Sequence, residues 1–196
     1  MSEAHEPTLA ERLGARLAER GEVLAVAEGA TGGLLAHLLT QVPGSSRWFR
    51  AGIVAYTDYP KQLLLRVATE TIEQRGSISP EATVQMARLA RRLFATDWAI
   101  AVTGYADDQA PAPDRRAPSV PATNPPGVPR IESERSSPQA GLTYIAISGR
   151  AAGAVPAGRE DFQSWEEWLL PAPDRATYKQ AAAERAIETL LKIIES

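Results

Sequence analysis

The feature that most constrains the fold of this chain is an alternation of short apolar runs with amphipathic stretches. Residues 23–27, 52–57, 98–104 and 142–148 are nearly continuous apolar runs. Strands buried on both faces require such runs. Helix signals lie between and around them. Thr8-Leu9-Ala10-Glu11 reads as a capping box, in which hydroxyl and carboxylate satisfy free backbone N–H groups. Leu9, Leu13 and Leu17 then share one face, and Gly21 suits a left-handed helix end. Residues 34–42 read as an apolar helix, 43–46 as a turn and 61–76 as one or two short helices. Ser79-Pro80-Glu81 opens a further helix with an N-cap, a first-turn proline and an acid favoured by the dipole. Its expected apolar stripe is Met86, Leu89, Ala90, Leu93 and Phe94. Asp174 caps a last helix whose face carries Ile187, Leu190, Leu191 and Ile194. Residues 165–170, of mixed polarity, read as an edge strand. The pattern predicts an α/β fold, a three-layer α/β/α sandwich with a mostly parallel sheet.

Composition narrows the chemistry. The chain of 196 residues has no cysteine, which excludes disulfides, thiolate catalysis and cysteine-ligated metals. His5 and His37 lie far apart, and neither has a ligand-like neighbour at helical spacing. A histidine-built metal site or a Ser-His-Asp triad is therefore not expected. A carboxylate-only site stays open, and no metal or cofactor is assigned. The net charge of -3, from 21 basic and 24 acidic residues, gives no surplus for nucleic acid. Arg88, Arg91 and Arg92 read as a solvated helix face. No apolar run approaches the roughly 20 residues needed to span a membrane. Residues 1–7 lack the apolar core of a signal peptide, so the cytoplasm is the expected compartment.

One stretch breaks the alternation. Eight of the 15 prolines lie between Asp107 and Pro138. With strand patterns on both sides, this reads as an inserted loop at 107–138 within a single domain spanning 1–196.

Candidate chemistry concentrates where the first strand meets its helix, at Glu28-Gly29-Ala30-Thr31-Gly32-Gly33. Glycines let a ligand approach the backbone. The first N–H groups of a helix are unpaired and favour an anion, so the turn is a candidate phosphate site. Any tight strand-to-helix turn also wants glycine, and both readings stand at this point. The turn is neither a P-loop nor a dinucleotide fingerprint. In open α/β sheets ligands bind beyond the carboxyl ends of the strands. Tyr56-Thr57-Asp58 and Thr103-Gly104-Tyr105 are the expected tips around this turn, and Lys61 is placed to bring an ammonium to their rim. Taken singly, Lys61 reads as a solvated lysine and Tyr56 as a half-buried packing residue.

Six blocks fall in one order: Ala27-Glu28-x-x-Thr31-Gly32-Gly33, Val42-Pro43-Gly44-Ser45-Ser46, Ala55-Tyr56-x-x-x-x-Lys61, Gly76-x-x-Ser79-x-Glu81, Val102-Thr103-Gly104 and Asp174-Arg175. Together they resemble the C-terminal domain of the CinA (competence/damage-inducible) family, a domain also found alone as a nicotinamide mononucleotide deamidase. The resemblance implies hydrolysis of the carboxamide of nicotinamide mononucleotide to ammonia and nicotinic acid mononucleotide. It implies a serine nucleophile in the first block, assisted by a tyrosine and a lysine that Tyr56 and Lys61 match. It implies ligand contacts at Glu28, Gly29, Ala30, Thr31, Gly32, Gly33, Thr103, Gly104 and Arg175, and it implies a homodimer.

Two departures set the functional expectation. The position matching the serine is Gly29, followed by Ala30, and glycine has no atom that can attack a carbonyl. Thr31 carries a hydroxyl two residues on, but it matches the family's own threonine; using it would displace the reaction by several Å at ~3.3 Å per residue. The second ligand loop is also rebuilt. Asp107-Asp108-Gln109 follows Ala106, and Ser137-Pro138-Gln139-Ala140-Gly141 lacks the family's lysine. The expectation is a catalytically impaired member that keeps a pyridine mononucleotide or other phosphate-bearing ligand, with no nucleic-acid or membrane partner. Two alternatives stand beside it. One is an active amidase in which Thr31, or a water activated by Lys61 or Glu28, attacks. The other is an interaction module that uses the 107–138 loop.

Overall fold

The computed structural model describes residues 6–107, 138–150 and 162–196. The proline-rich loop, apart from its two end residues, lies outside these, as does the partner-binding role considered for it. The described elements are α1 (Leu9–Arg20), β1 (Leu24–Glu28), α2 (Leu34–Thr40), a 3-10 turn (Ser45–Arg47), β2 (Phe49–Val54), α3 (Asp58–Leu63), α4 (Thr69–Arg75), α5 (Pro80–Phe94), β3 (Trp98–Gly104), β4 (Leu142–Gly149), β5 (Phe162–Leu169) and α6 (Arg175–Glu195).

The local signals act as the sequence reading expects. At α1 the Thr8 hydroxyl accepts the Glu11 N–H (3.2 Å), and the Glu11 carboxylate accepts the Thr8 N–H (2.7 Å). Gly21 ends that helix with a φ of 64°. Ser79 and Asp174 cap α5 and α6 through the backbone N–H groups of Ala82 and Thr177.

The strands form one sheet in the order β2-β1-β3-β4-β5. β1 pairs in parallel with β2 and β3, whereas β4 is antiparallel to both β3 and β5. Only β4 therefore runs against the rest, and the sheet is mostly parallel in strand direction. β3 and β4, which flank the proline-rich segment, are neighbours in this sheet.

The two faces of the sheet differ in bulk. Leu24, Val26, Ile100, Val102, Ile145 and Ile147 pack with α1, α2 and α6. The alternate positions Ala27, Ala99, Ala101 and Ala146 pack with Ala82, Met86, Ala87 and Ala90 of α5. Strand side chains alternate between faces, so a large-small repeat gives one thick interface and one thin one. α5 is thereby seated close against the strands.

Four expectations are corrected here. β2 begins at Phe49 and ends at Val54, before Tyr56. It is an edge strand with alternating exposure, held in register by Leu24↔Phe49 and Glu28↔Val54, and so does not follow the continuous apolar run. The helix after β1 is shorter than 34–42, ending at Thr40. Leu93 of the expected α5 stripe is exposed, and Ala82 and Ala87 take its place at the sheet. Arg88 is buried rather than solvated, and Arg91 is half-buried with Nε donating to Ser148 Oγ (3.2 Å). α5 is covered twice, by the sheet and by the α4 segment. There Gln85 accepts the Ala68 N–H and donates to Thr71 Oγ1. Such a helix keeps only a narrow solvated face, which Arg92 occupies.

Gly104 closes β3 against α6. A Cβ there would overlap the Tyr178 hydroxyl and lie 2.7 Å from the Leu142 carbonyl oxygen. Gly104→Ala is expected to lower the unfolding free energy by about 2 kcal/mol, measured by urea denaturation, because the obstruction includes backbone that cannot rotate away.

Candidate functional site

The β1–α2 turn is organised by one buried carboxylate. Glu28 closes β1 and is fully buried. Its Oε2 accepts the Thr31 hydroxyl (2.7 Å) and the N–H groups of Gly33 (2.8 Å) and Leu35 (3.0 Å). Its Oε1 accepts the Ala36 N–H (2.9 Å). The Leu34 N–H goes to the Thr31 carbonyl (3.3 Å). The four amides at the start of α2 are therefore all engaged within the chain. Gly33, the N-cap, makes this possible with a φ of 102°, which an L side chain rarely adopts. The expected use of these amides for a phosphate is corrected: an internal anion already holds them.

The same network changes the roles of two candidates. Thr31 is 1% exposed, and its hydroxyl is committed to Glu28, so it serves the turn and does not present a nucleophile. Glu28 is fully buried and accepts four hydrogen bonds, so both of its oxygens are committed to the turn.

Gly29 lies one residue beyond, on the floor where three strands end. Its N–H donates to the Val102 carbonyl (2.8 Å), and the preceding carbonyl accepts the Ala55 N–H (2.8 Å). A Cβ on Gly29 would lie 3.2 Å from Val102 O and 3.8 Å from Ala55 O. The slot is tight but not closed.

Other predicted residues point elsewhere. Thr103 is fully buried, with Oγ1 2.7 Å from Thr83 Oγ1 of α5. Gly104 makes room for Tyr178, whose hydroxyl lies 2.9 Å from Thr143 Oγ1. Burial pushes the Tyr178 phenol up, and the Thr143 hydrogen bond opposes this. Lys61 is not a solvated rim residue. It is 2% exposed and its Nζ donates to the Ser77 carbonyl (2.8 Å). Loss of hydration pushes this ammonium down to about 8, an effect the nearby Asp58 partly offsets. α3 is a six-residue helix, and its Lys61 position faces the interior.

Tyr56 is 55% exposed rather than half-buried, and its oxygen accepts from Arg175 Nη1 (3.2 Å) across 119 positions of sequence. Arg175 Nη2 pairs with the Asp107 carboxylate. The structure thus joins the tips of β2 and β3 to the first turn of α6. It also adds a residue the sequence reading missed. Lys179 Nζ lies 3.0 Å from where a Cβ on Gly32 would sit, so a second cation borders the turn. Its spacing of four from Arg175 on one helix was the available signal.

Comparison with known proteins adds the following. A family model described as CinA C-terminal domain matches residues 6–119. A CinA-like protein of Synechococcus sp. is 44% identical over 103 residues, covering 53% of this chain and 24% of that protein. A CinA-like protein of Acaryochloris marina is 33% identical over 185 residues, covering 94% of this chain and 36% of its own length. The chain therefore spans about a quarter to a third of the curated relatives it matches. Among solved structures, a competence/damage inducible protein from Agrobacterium tumefaciens superposes with a TM-score of 0.72 at 25% identity, covering 98% of this chain and 99% of that one. A CinA superfamily protein from Klebsiella pneumoniae gives 0.72 at 23% identity, covering 95% and 96%, and bears on the fold alone.

Two outcomes follow from this geometry. Glu28→Ala strands three backbone amides and a hydroxyl, and is expected to cost about 3–5 kcal/mol of stability in chemical denaturation. Glu28→Gln, which keeps the shape and one acceptor, is expected to cost less. Lys61 gives a pH signature. Its folded value of about 8 lies below the ordinary lysine value of 10.5, so the unfolded chain binds more protons between these limits. Stability of the native chain then rises with pH through that window, by up to about 3 kcal/mol relative to Lys61→Met, and is flat below it. Parallel denaturation of both proteins at pH 7 and pH 10 reads this difference.

Proposed function

The chain belongs to the CinA C-terminal domain family, and from that premise we propose that it binds a pyridine mononucleotide, or another phosphate-bearing ligand, without hydrolysing its amide. The observation that carries this reading is Gly29. Amide hydrolysis through a covalent intermediate needs a nucleophile beside a base, and no side-chain atom stands at this position. The nearest hydroxyl in sequence, Thr31, is held by Glu28 at 2.7 Å. What remains suits binding. Lys179 borders the turn at Gly32, and Tyr56 meets Arg175 beyond the carboxyl end of β2, the side on which open α/β sheets take ligands. Two cations there favour an anionic group. The same proposal includes a cytoplasmic homodimer. Among the described residues, no helix is long and apolar enough to cross a membrane.

Two measurements test it. Purified protein incubated with nicotinamide mononucleotide is expected to bind it by calorimetry and to release no ammonia above the buffer rate. Turnover of about 1 per second, ordinary for enzymes, overturns the reading. Gly29→Ser is expected to produce ammonia release where the native chain gives none, since the added Cβ asks Val102 O to move by only tenths of an ångström. Adding Lys61→Ala to that variant is expected to abolish the gain.

A further inference from the structure

The rim of the site is built for an anion and already holds one of its own. Arg175 pairs with Asp107, three residues past the end of β3, while its Nη1 reaches Tyr56 Oη at 3.2 Å. Lys179, one helical turn further along α6, places its Nζ beside Gly32. The side chains of Arg175 and Asp107 are 51% and 46% exposed, so solutes reach both partners. A guanidinium presents a planar fork of donors that fits a carboxylate and a phosphate alike. Asp107 offers Arg175 the same chemistry that a phosphate monoester would offer. The β1–α2 turn does the same with Glu28, so the Arg175 fork and the amides of the turn each already hold an internal carboxylate.

We propose that Asp107 is a built-in competitor for the anionic group of the ligand: a phosphate monoester gains Arg175 only by exchanging with the Asp107 carboxylate. This rests on the ligand class proposed above, and Asp107 then sets the affinity of the site for that class. The exchange makes and breaks ion pairs alone, with no covalent step.

The test uses the full chain and three probes: nicotinamide mononucleotide, inorganic phosphate, and nicotinamide riboside, which lacks the phosphate. Binding is measured by calorimetry for the native protein, Asp107→Asn, Asp107→Ala, and each of these combined with Arg175→Gln. Both Asp107 variants are expected to bind the mononucleotide and phosphate about threefold to fivefold more tightly, the scale of one exposed ion pair. Binding of the riboside is expected to stay the same, and Arg175→Gln is expected to erase the gain. An unchanged or weaker affinity in both Asp107 variants, with the native protein still binding the mononucleotide, overturns the competitor and leaves the ligand reading standing. An equal gain for the riboside overturns it too, since the phosphate would not be the cause. A gain confined to inorganic phosphate keeps the competitor and removes the nucleotide as ligand. Absence of binding by every protein to every probe overturns both proposals. Thermal melts check that the variants fold, as expected for substitutions at two half-exposed side chains.

Discussion

The structure of the site depends on one carboxylate at the start of one short helix. Glu28 ends the central strand β1 and reaches forward to amides five to eight residues ahead in sequence. Without it, the turn would bury donors that lack acceptors, and each such group costs about 1–3 kcal/mol. With it, the strand can pass into the helix through a tight, dry corner. That corner fixes the position of Gly29 and Thr31, pins Gly33 in its left-handed conformation, and brings Gly32 under Lys179. It also decides what the corner is not. A helix start whose amides face an internal anion has little left to offer an external one, although a glycine-rich turn after a buried strand looks open in sequence.

The same carboxylate shows where reading from sequence stops. The strands were legible because burial on both faces demands apolar runs, and Trp98–Gly104 was located to the residue. The caps at Thr8, Ser79 and Asp174 were legible because capping acts over three residues. β2 was misplaced because an edge strand with one covered face has a weaker pattern than its parallel neighbours. In the site, the partners of Glu28 are backbone amides, which every residue carries, so no side-chain pattern marks them. Lys61 sits on a helix of six residues, too short for periodicity to reveal an inward face. Tyr56 and Arg175 meet across 119 positions, and only the sheet order brings their elements together.

The thin face of the sheet also bears on the site. Alanines at alternate positions of β1, β3 and β4 let α5 approach the strands closely, and Thr83 on α5 consequently reaches Thr103 near the tip of β3 at 2.7 Å. Gly104 then serves the opposite face, where Tyr178 occupies the space a side chain would need. A Val-Thr-Gly tip that reads as a ligand loop is therefore a packing joint between two helices. Its residues shape the site by holding β3 and α6 in place, which is how Asp107 and Arg175 come to face each other.

Chemistry and binding separate along these lines. Attack on an amide carbon needs an atom at Gly29 and a proton acceptor within hydrogen-bond reach of it. Loss of hydration lowers the Lys61 amine to about 8, which leaves a larger neutral fraction near physiological pH than a solvated lysine has. Holding that amine inside the fold weakens the folded state wherever the group is charged. An apolar side chain of similar length would fill the space without the desolvation cost, but would take from the Ser77 carbonyl its hydrogen bond to Lys61. The interior thus keeps a buried ammonium at a cost, while Gly29 carries only hydrogen. Under the reading proposed above, a ligand would meet Arg175 and Lys179 at the rim and, at Gly29, a floor of backbone with no attacking atom.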